Sequence, residues 1–419
     1  MAGKFGVRLG TAGEGYDYTV GIVDFERMRH ERLSKAQSAM KKNGIAVALL
    51  LRPENIRYVT GTHFPDFVER LRYNLCFVEH DPILFTMGGY NLGECPWIKP
   101  ENVKISRHWA AESPGREATW EAAKQFASEI KNELSQKGLG KEKVGIDGYL
   151  DEPGRQALVE AGIQLVNIQP VMLEARAIKT QDEINCIHMM SVLCDTAHYA
   201  MYKAIKPGVR ERDIVAVGNE ALIKAGAESV WQVAVSSGGK IGGISIVSDK
   251  IIQVGDVVTI DIVRASYMGY QSCYYRNYLV SRKPTEKEKE LHKKSLERMY
   301  RVIDALKPGV TTDELAKHWM SAKKKGLPDE WYMWCDDLAH GIGLWLYEYP
   351  IINRLWSLEH PMTIEKGMTM AVECMEFHPL VGRTKLEEMV VVTDDGAEIF
   401  TRMPVKDIMI ANPITTADC

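Results

Sequence analysis

Four side chains in the second half of this 419-residue chain have the types and settings to do chemistry. Asp261 closes the apolar run Val254-Gly-Asp-Val-Val-Thr-Ile-Asp261, and Glu373 closes Lys366-Gly-Met-Thr-Met-Ala-Val-Glu373. His340 stands in Ala339-His-Gly-Ile-Gly-Leu344, where glycines let the backbone bring an imidazole close to another group. Glu387 lies in Thr384-Lys-Leu-Glu-Glu-Met-Val-Val-Val-Thr393, at the start of an expected strand. Runs of this kind read as strands, which hold side chains rigidly. Asp, His, Glu and Glu presented that way suit a divalent Mn, Co, Zn or Fe ion. Without an ion, carboxylates sharing one pocket raise one pKa and supply a general base near neutral pH.

The elements that would position these residues form an internal repeat. Ala204-Ile-Lys-Pro-Gly-Val209 recurs as Ala305-Leu-Lys-Pro-Gly-Val310, and the Asp261 run is echoed in the same order by the Glu373 run. Two copies of helix, turn, helix and strand imply a pseudo-twofold α+β domain with Asp261 and Glu373 at equivalent strand positions. Thr180-Gln-Asp-Glu183 reads as a capping box opening that domain. Ahead of it the pattern alternates. A helix from Asp24 carries Met28, Leu33, Ala36 and Met40 and ends near Asn43-Gly44. The run from Ile45 to Leu51 reads as a buried strand, with Arg52-Pro-Glu-Asn55 as the turn after it. Further strands are expected over 74–78, 83–87, 143–146 and 164–167, with a helix over 119–137, making an α/β domain. The expected division is a Gly-rich arm over 1–20, an α/β domain over 21–172, a catalytic domain over 173–405 and a tail over 406–419.

Composition excludes several partners. A net charge of −4 from 52 basic and 56 acidic residues gives no field that favours nucleic acid or an anionic membrane. The first 20 residues lack the apolar core of a secretory signal, and no apolar run is long enough to span a bilayer, so the expectation is cytoplasmic. The eight cysteines are scattered without a Cys-x-x-Cys pair and read as reduced thiols.

The order Gly-Asp-x-Val-x-x-Asp261, Gly269-Tyr to Arg276, His340-Gly-Ile-Gly-Leu, Val-Glu373 and Leu-Glu387-Glu is similar to the pita-bread superfamily of methionine aminopeptidases, prolidases and creatinase. Arg176-Ala-Ile-Lys179 with Glu183 resembles the junction after that family's first domain, and Asn55-Ile-Arg-Tyr58 with Gly61 resembles its first-domain strand and turn. The resemblance implies a creatinase-like α/β N-terminal domain followed by a pita-bread catalytic domain. It also implies a five-ligand dinuclear metal set, here Asp261, Cys273, His340, Glu373 and Glu387. Cys273 falls where the family has a bridging Asp, and a thiolate is a softer ligand that suits Zn or Fe better than Mn. Both a bound divalent ion (Zn, Fe or Mn) and metal-free catalysis stay open on this set.

Two departures bear on activity. Tyr347 stands where peptidase relatives carry a second His, and residues 231–255 hold no His at all. Trp345, Tyr347 and Tyr349 alternate after His340, and Tyr275 lies beside Cys273, an aromatic lining that suits cationic heads. The pattern looks most like the superfamily's dimethylsulfoniopropionate lyase branch, although Val263 stands where that branch has an extra Asp. The expected function is a non-peptidase lyase or C–N hydrolase acting on a small zwitterionic or quaternary-cation metabolite. His340, Tyr347, Glu373 and Glu387 would be catalytic, and Trp345, Tyr349, Tyr275 and His63 would contact substrate. The alternatives are a metal-dependent Xaa-Pro dipeptidase and a catalytically silent ligand-binding homologue. Family members dimerise with one N-terminal domain covering the other's site, so a homodimer is expected, with the segment from His63 to Arg72 as the cover.

Overall fold

In this computed structural model, residues 22–62, 72–87, 95, 97–238, 248–379 and 381–414 are described. The expected arm over 1–20 and His63 lie outside them. The chain divides into two units, one reaching Arg176 and the other starting at Ala177.

In the first unit, Asp24 caps α1 (Phe25–Lys42), its carboxylate accepting from the Arg27 amide at 3.0 Å. Helical spacing buries Met28, Arg32, Ala36 and Met40, so Arg32 takes the place expected for Leu33. β1 (Val47–Leu50) follows, then α2 (Pro53–Thr60). The expected turn over Arg52–Asn55 and strand over Asn55–Tyr58 are therefore replaced by one helix. Pro53 opens its first turn and Gly61 closes it in the left-handed conformation, which is helix punctuation. Asn55 faces inward from α2, its amide donating to Asp147 at 3.1 Å and its carbonyl accepting from Arg176.

β2 (Tyr73–Phe77), β3 (Ile83–Thr86), β4 (Val103–Ile105), α3 (Arg116–Gln136), β5 (Val144–Ile146), α4 (Glu152–Glu160), β6 (Leu165–Asn167) and α5 (Gln169–Ala177) complete this part of the chain. The sheet order is β4-β3-β2-β1-β5-β6, with β1 antiparallel to β2 and parallel to β5. Leu49, Leu75, Phe85, Phe126, Ile130 and Leu158 share its core.

The second unit realises the repeat. Thr180 and Glu183 form the capping box of α6 (Gln181–Ala204), followed by α7 (Glu211–Ala225), β7 (Ser229–Ser237), β8 (Val257–Tyr267), β9 (Tyr270–Gln271) and β10 (Tyr275–Val280). The second copy runs through α8 (Glu286–Ala305), α9 (Thr312–Ala316), β11 (Asp337–Gly341), β12 (Glu348–Ile352), β13 (Thr369–His378) and β14 (Gly382–Val392), and β15 (Ala397–Ile399) and β16 (Met409–Ala411) are the last described strands. Gly208 and Gly309, the glycines of the two Lys-Pro-Gly turns, both have positive φ, 93° and 91°. Their amides donate to equivalent carbonyls, Gly208 to Ile252 at 3.0 Å and Gly309 to Ile364 at 2.9 Å. The sheets are β16-β10-β8-β7 and β12-β11-β13-β14-β15, so one copy delivers Asp261 from β8 and the other Glu373 from β13.

Candidate metal centre

Strand alternation sorts β13 and β14 into two faces. Met370, Val372, Cys374, Leu386 and Val390 join the hydrophobic core with Met299, Val302 and Ile303 of α8. Glu373 lies opposite Glu387 in the register, and His340 of β11 lies opposite Ala371. Glu387 thus sits mid-strand rather than at a strand start. Asp261 lies opposite Tyr275 in the other sheet, and Cys273 occupies the irregular step between β9 and β10.

The two sheets meet along β10 and β14. The buried Arg276 guanidinium pairs with Glu388 at 2.7 Å and donates to the carbonyls of Glu387 and Met403, while Asn277 donates to the Lys385 carbonyl at 2.8 Å. This clamp sets the height of Cys273 against Glu387. One ligand atom each from Cys273, His340 and Glu387 lies within 4.8 Å of the others, and all three residues are buried. His340 Nδ1 approaches the Gly341 carbonyl at 3.2 Å, while Nε2 lies 3.8 Å from Glu387 Oε1.

The glycines of this motif serve a neighbour other than the imidazole. A Cβ on Gly341 would strike the Tyr349 carbonyl, and one on Gly343 would meet the Glu348 carboxylate at 2.5 Å. Glu348 is itself buried against Lys179 at 2.9 Å, so the junction motif ties back beneath the His340 strand.

The electrostatics suit a cation. Neither oxygen of Asp261 or of Glu387 has a hydrogen-bond partner among the described residues, although all four atoms are buried. Each such orphan costs roughly 1–3 kcal/mol, which a cation would repay. Burial pushes the Asp261 carboxyl up to about 7, with Glu373 adding to the rise and Lys385 and the nearby Tyr275 hydroxyl opposing it. Burial, then the charges of Glu373 and Asp261, holds Glu387 well above the usual carboxylate range. His340 is pushed down to about 4 by burial and is neutral at pH 7, the form that ligates metal. Burial, then the Glu387 charge, raises the Cys273 thiol, so ionising it needs a cation at hand. Orphaned carboxylates, a neutral imidazole and a thiol within ligand reach fit a divalent ion.

Lys385, which the sequence reading passed over, stands in this group. Its ammonium lies 2.8 Å from Glu373, donates to the Cys335 carbonyl at 2.9 Å and sits 4.5 Å above the Tyr275 ring. Its signal was available, since a residue two before Glu387 in a strand shares its face.

The expected aromatic lining divides. Residues 343–347 form a bend, and only beyond it does β12 begin. The Tyr347 ring meets His340 edge-on at 4.7 Å, and Trp334 lies 6.1 Å further on. Trp345 instead lies 4.2 Å beneath the Arg264 guanidinium, and Tyr349 packs on the core that buries Val372. Tyr275 is buried behind Lys385, with no open face for a substrate head. Strand alternation was assumed for residues 345–349, and the bend breaks it.

A creatinase-like domain followed by a pita-bread domain that holds a buried cluster of side chains able to ligate a metal defines the class, and the comparisons with known proteins agree. The chain belongs to metallopeptidase family M24, whose pattern matches residues 185–394, and the creatinase/prolidase N-terminal domain matches residues 32–178. It is an enzyme of the creatinase/aminopeptidase superfamily, and membership implies dependence on a divalent metal. It is 27% identical to the Xaa-Pro dipeptidase of Pyrococcus furiosus over 376 residues, 89% of this chain and 98% of that one. It is 24% identical to the Xaa-Pro dipeptidase of Lactobacillus delbrueckii subsp. lactis over 391 residues, 90% of this chain and all of that one. The prolidase from Pyrococcus horikoshii OT3 shares the fold with a TM-score of 0.70 at 24% identity, over 89% of this chain and 99% of that one.

These findings overturn the expectation of a non-peptidase lyase or C–N hydrolase. The relatives matched along nine tenths of the chain are named dipeptidases, and no support emerges for the sulfonium-lyase branch or for metal-free catalysis. The physical reason lies in the weight placed on two missing histidines. Where an ion acidifies water and polarises a carbonyl, imidazole proton handling is an aid rather than the source of the nucleophile. Among the described residues no helix is long and apolar enough to cross a membrane.

Proposed function

We propose that this chain is a metal-dependent Xaa-Pro dipeptidase. The observation that carries the reading is the buried Cys273, His340 and Glu387 cluster, its ligand atoms within 4.8 Å, inside the region that matches the metallopeptidase family. His340, Glu387 and Cys273 hold the ion, and Asp261 and Glu373 shape the charge around it. When bound, the ion supplies Lewis-acid polarisation of the scissile carbonyl and lowers the pKa of its water.

The protein's own groups supply the rest. Partial burial raises the Tyr347 phenol above its usual range, with the nearby charges of Glu373 and Glu387 adding to the rise, so its hydroxyl is protonated at neutral pH and can donate to the developing oxyanion. Trp334, Trp356 and Trp331 continue outward from Tyr347 with ring separations of 6.1, 6.3 and 6.1 Å and offer apolar faces to a pyrrolidine ring. The carboxylates of Asp261 and Glu373 would repel the dipeptide's own carboxylate, which orients that end away from them.

The test is hydrolysis of a panel of Xaa-Pro dipeptides by chelator-stripped protein reloaded with Zn, Fe(II), Mn or Co. Release of proline that depends on metal supports the reading. No release with any of the four rejects it.

A further inference from the structure

Among the described residues, three carboxylates of the cluster, Asp261, Glu373 and Glu387, face one built-in cation, the Lys385 ammonium. Even with all three carboxylates ionised, the Cys273 thiol protonated and His340 neutral, the pocket is no more than two negative charges in excess, the charge of one divalent ion. Ionising the thiol raises the excess to three. A second divalent ion would leave the pocket positive in either state and would have to displace the Lys385 ammonium from Glu373, 2.8 Å away.

The geometry separates the two halves of the pocket in the same way. Cys273, His340 and Glu387 converge within 4.8 Å, with neither Glu387 oxygen hydrogen-bonded among the described residues, while Glu373 is already engaged by Lys385 at 2.8 Å. The ammonium lies between Glu373 and the Tyr275 ring, and Tyr275 faces Asp261 in the sheet register. A Lys in this position cannot be displaced cheaply. It is buried, it donates to the Cys335 carbonyl at 2.9 Å, and its ammonium lies 2.8 Å from the Glu373 carboxylate.

We propose that the centre holds one divalent ion ligated by the Cys273 thiolate, His340 and Glu387, and that the Lys385 ammonium supplies the second positive charge. A set of one sulfur, one nitrogen and one oxygen selects ions of the Zn or Fe(II) class over Mn. Binding breaks the Sγ–H bond, forms the Sγ–metal bond and releases that proton to solvent, so uptake is linked to pH. The inference rests on the metal-dependent reading of the site and is independent of which peptide is cleaved.

Cobalt(II) titration of the chelator-stripped full chain tests it under anaerobic conditions, because a thiolate bound to cobalt absorbs in the near ultraviolet and carboxylate or imidazole ligands do not. The expected result is a charge-transfer band that saturates at one equivalent, with elemental analysis giving one ion per chain. Cys273→Ser and Cys273→Asp should both lose the band, and the Asp variant should retain the ion. Lys385→Met should take up a second equivalent. Saturation of the native chain at two equivalents overturns the proposal, as does a band unchanged in both Cys273 variants. A Lys385→Met protein with native circular dichroism that still binds one ion overturns the role given to the ammonium. Dipeptide hydrolysis by a two-ion, band-free protein would sink this inference and leave the peptidase reading standing. A one-ion thiolate centre without hydrolysis would do the reverse.

Discussion

Glu387 and Glu388 are neighbours on β14, both are buried, and they face opposite sides of one sheet. On one side Glu388 is saturated, pairing with Arg276 at 2.7 Å and accepting from the Tyr300 and Thr401 hydroxyls. On the other side Glu387 has no hydrogen-bond partner at either oxygen among the described residues. The difference separates a carboxylate that holds two sheets together from one that is kept ready for a ligand. Burial alone does not distinguish them; the count of satisfied oxygens does.

Changing each acid in turn is the sharpest way to break that comparison. Glu387→Ala should abolish metal-dependent hydrolysis, a loss larger than the roughly hundredfold typical of outer-shell changes, with the denaturation midpoint held or raised. Steady-state kinetics and urea unfolding measure the two sides, and a stability loss without an activity loss would merge the two glutamates into one class. Glu388→Ala should instead cost about 3–5 kcal/mol of stability, because Arg276 is left buried without its partner. Urea unfolding of the variant reads that figure, and an unchanged midpoint would refute the clamp.

Asp147 in the first unit carries the same contrast within one carboxylate. Its Oδ2 accepts from the Leu51 and Arg52 amides and the Asn55 side chain, at 3.0, 2.8 and 3.1 Å, while Oδ1 is buried without a partner among the described residues. Burial pushes it from 3.8 up to about 6 against those three donors. The folded state therefore holds the proton more tightly than the unfolded chain. Its stabilising effect is full below pH 3.8 and is lost as pH rises through about 6, an amplitude of about 3 kcal/mol. Asp147→Asn keeps an acceptor toward the three donors and should flatten the stability profile between those pH values. Unfolding midpoints of the two proteins that differ by a constant across that window would show the orphan oxygen to be energetically silent.

The smallest expected effect lies at the mouth of the cluster. Trp334→Ala should raise KM for Xaa-Pro dipeptides by several-fold, about 1 kcal/mol of aromatic contact, and leave kcat alone. A fall in kcat at constant KM would place this ring in the reacting geometry and not in the approach.

The fold was legible to a large degree because its signals are local or periodic. The two Lys-Pro-Gly turns predicted a twofold repeat, and equivalent hydrogen bonds at Gly208 and Gly309 realise it. The α2 helix was misread since Asn55, Ile56 and Tyr58 were matched to a strand, while Pro53 and Gly61 carried the helix signal. In the site, Lys385 was missed because a lysine inside a strand reads as solvated until three buried carboxylates are seen around it. Tyr349 was assigned to the pocket by counting every second residue through a bend that resets the count.

By itself the sequence determined the two-domain architecture and the acids, imidazole and thiol available to it, because strand period, capping and repeat spacing are written along the chain. Only the tertiary structure decided which of them share a pocket. Cys273, His340 and Glu387 are separated by 67 and 47 residues, and it is the register of β11, β13 and β14 and the Arg276 clamp that bring them within ligand reach. The same packing decided that Glu373 meets an ammonium while Glu387 finds no hydrogen-bond partner among the described residues, a distinction of partners in space that no residue carries alone.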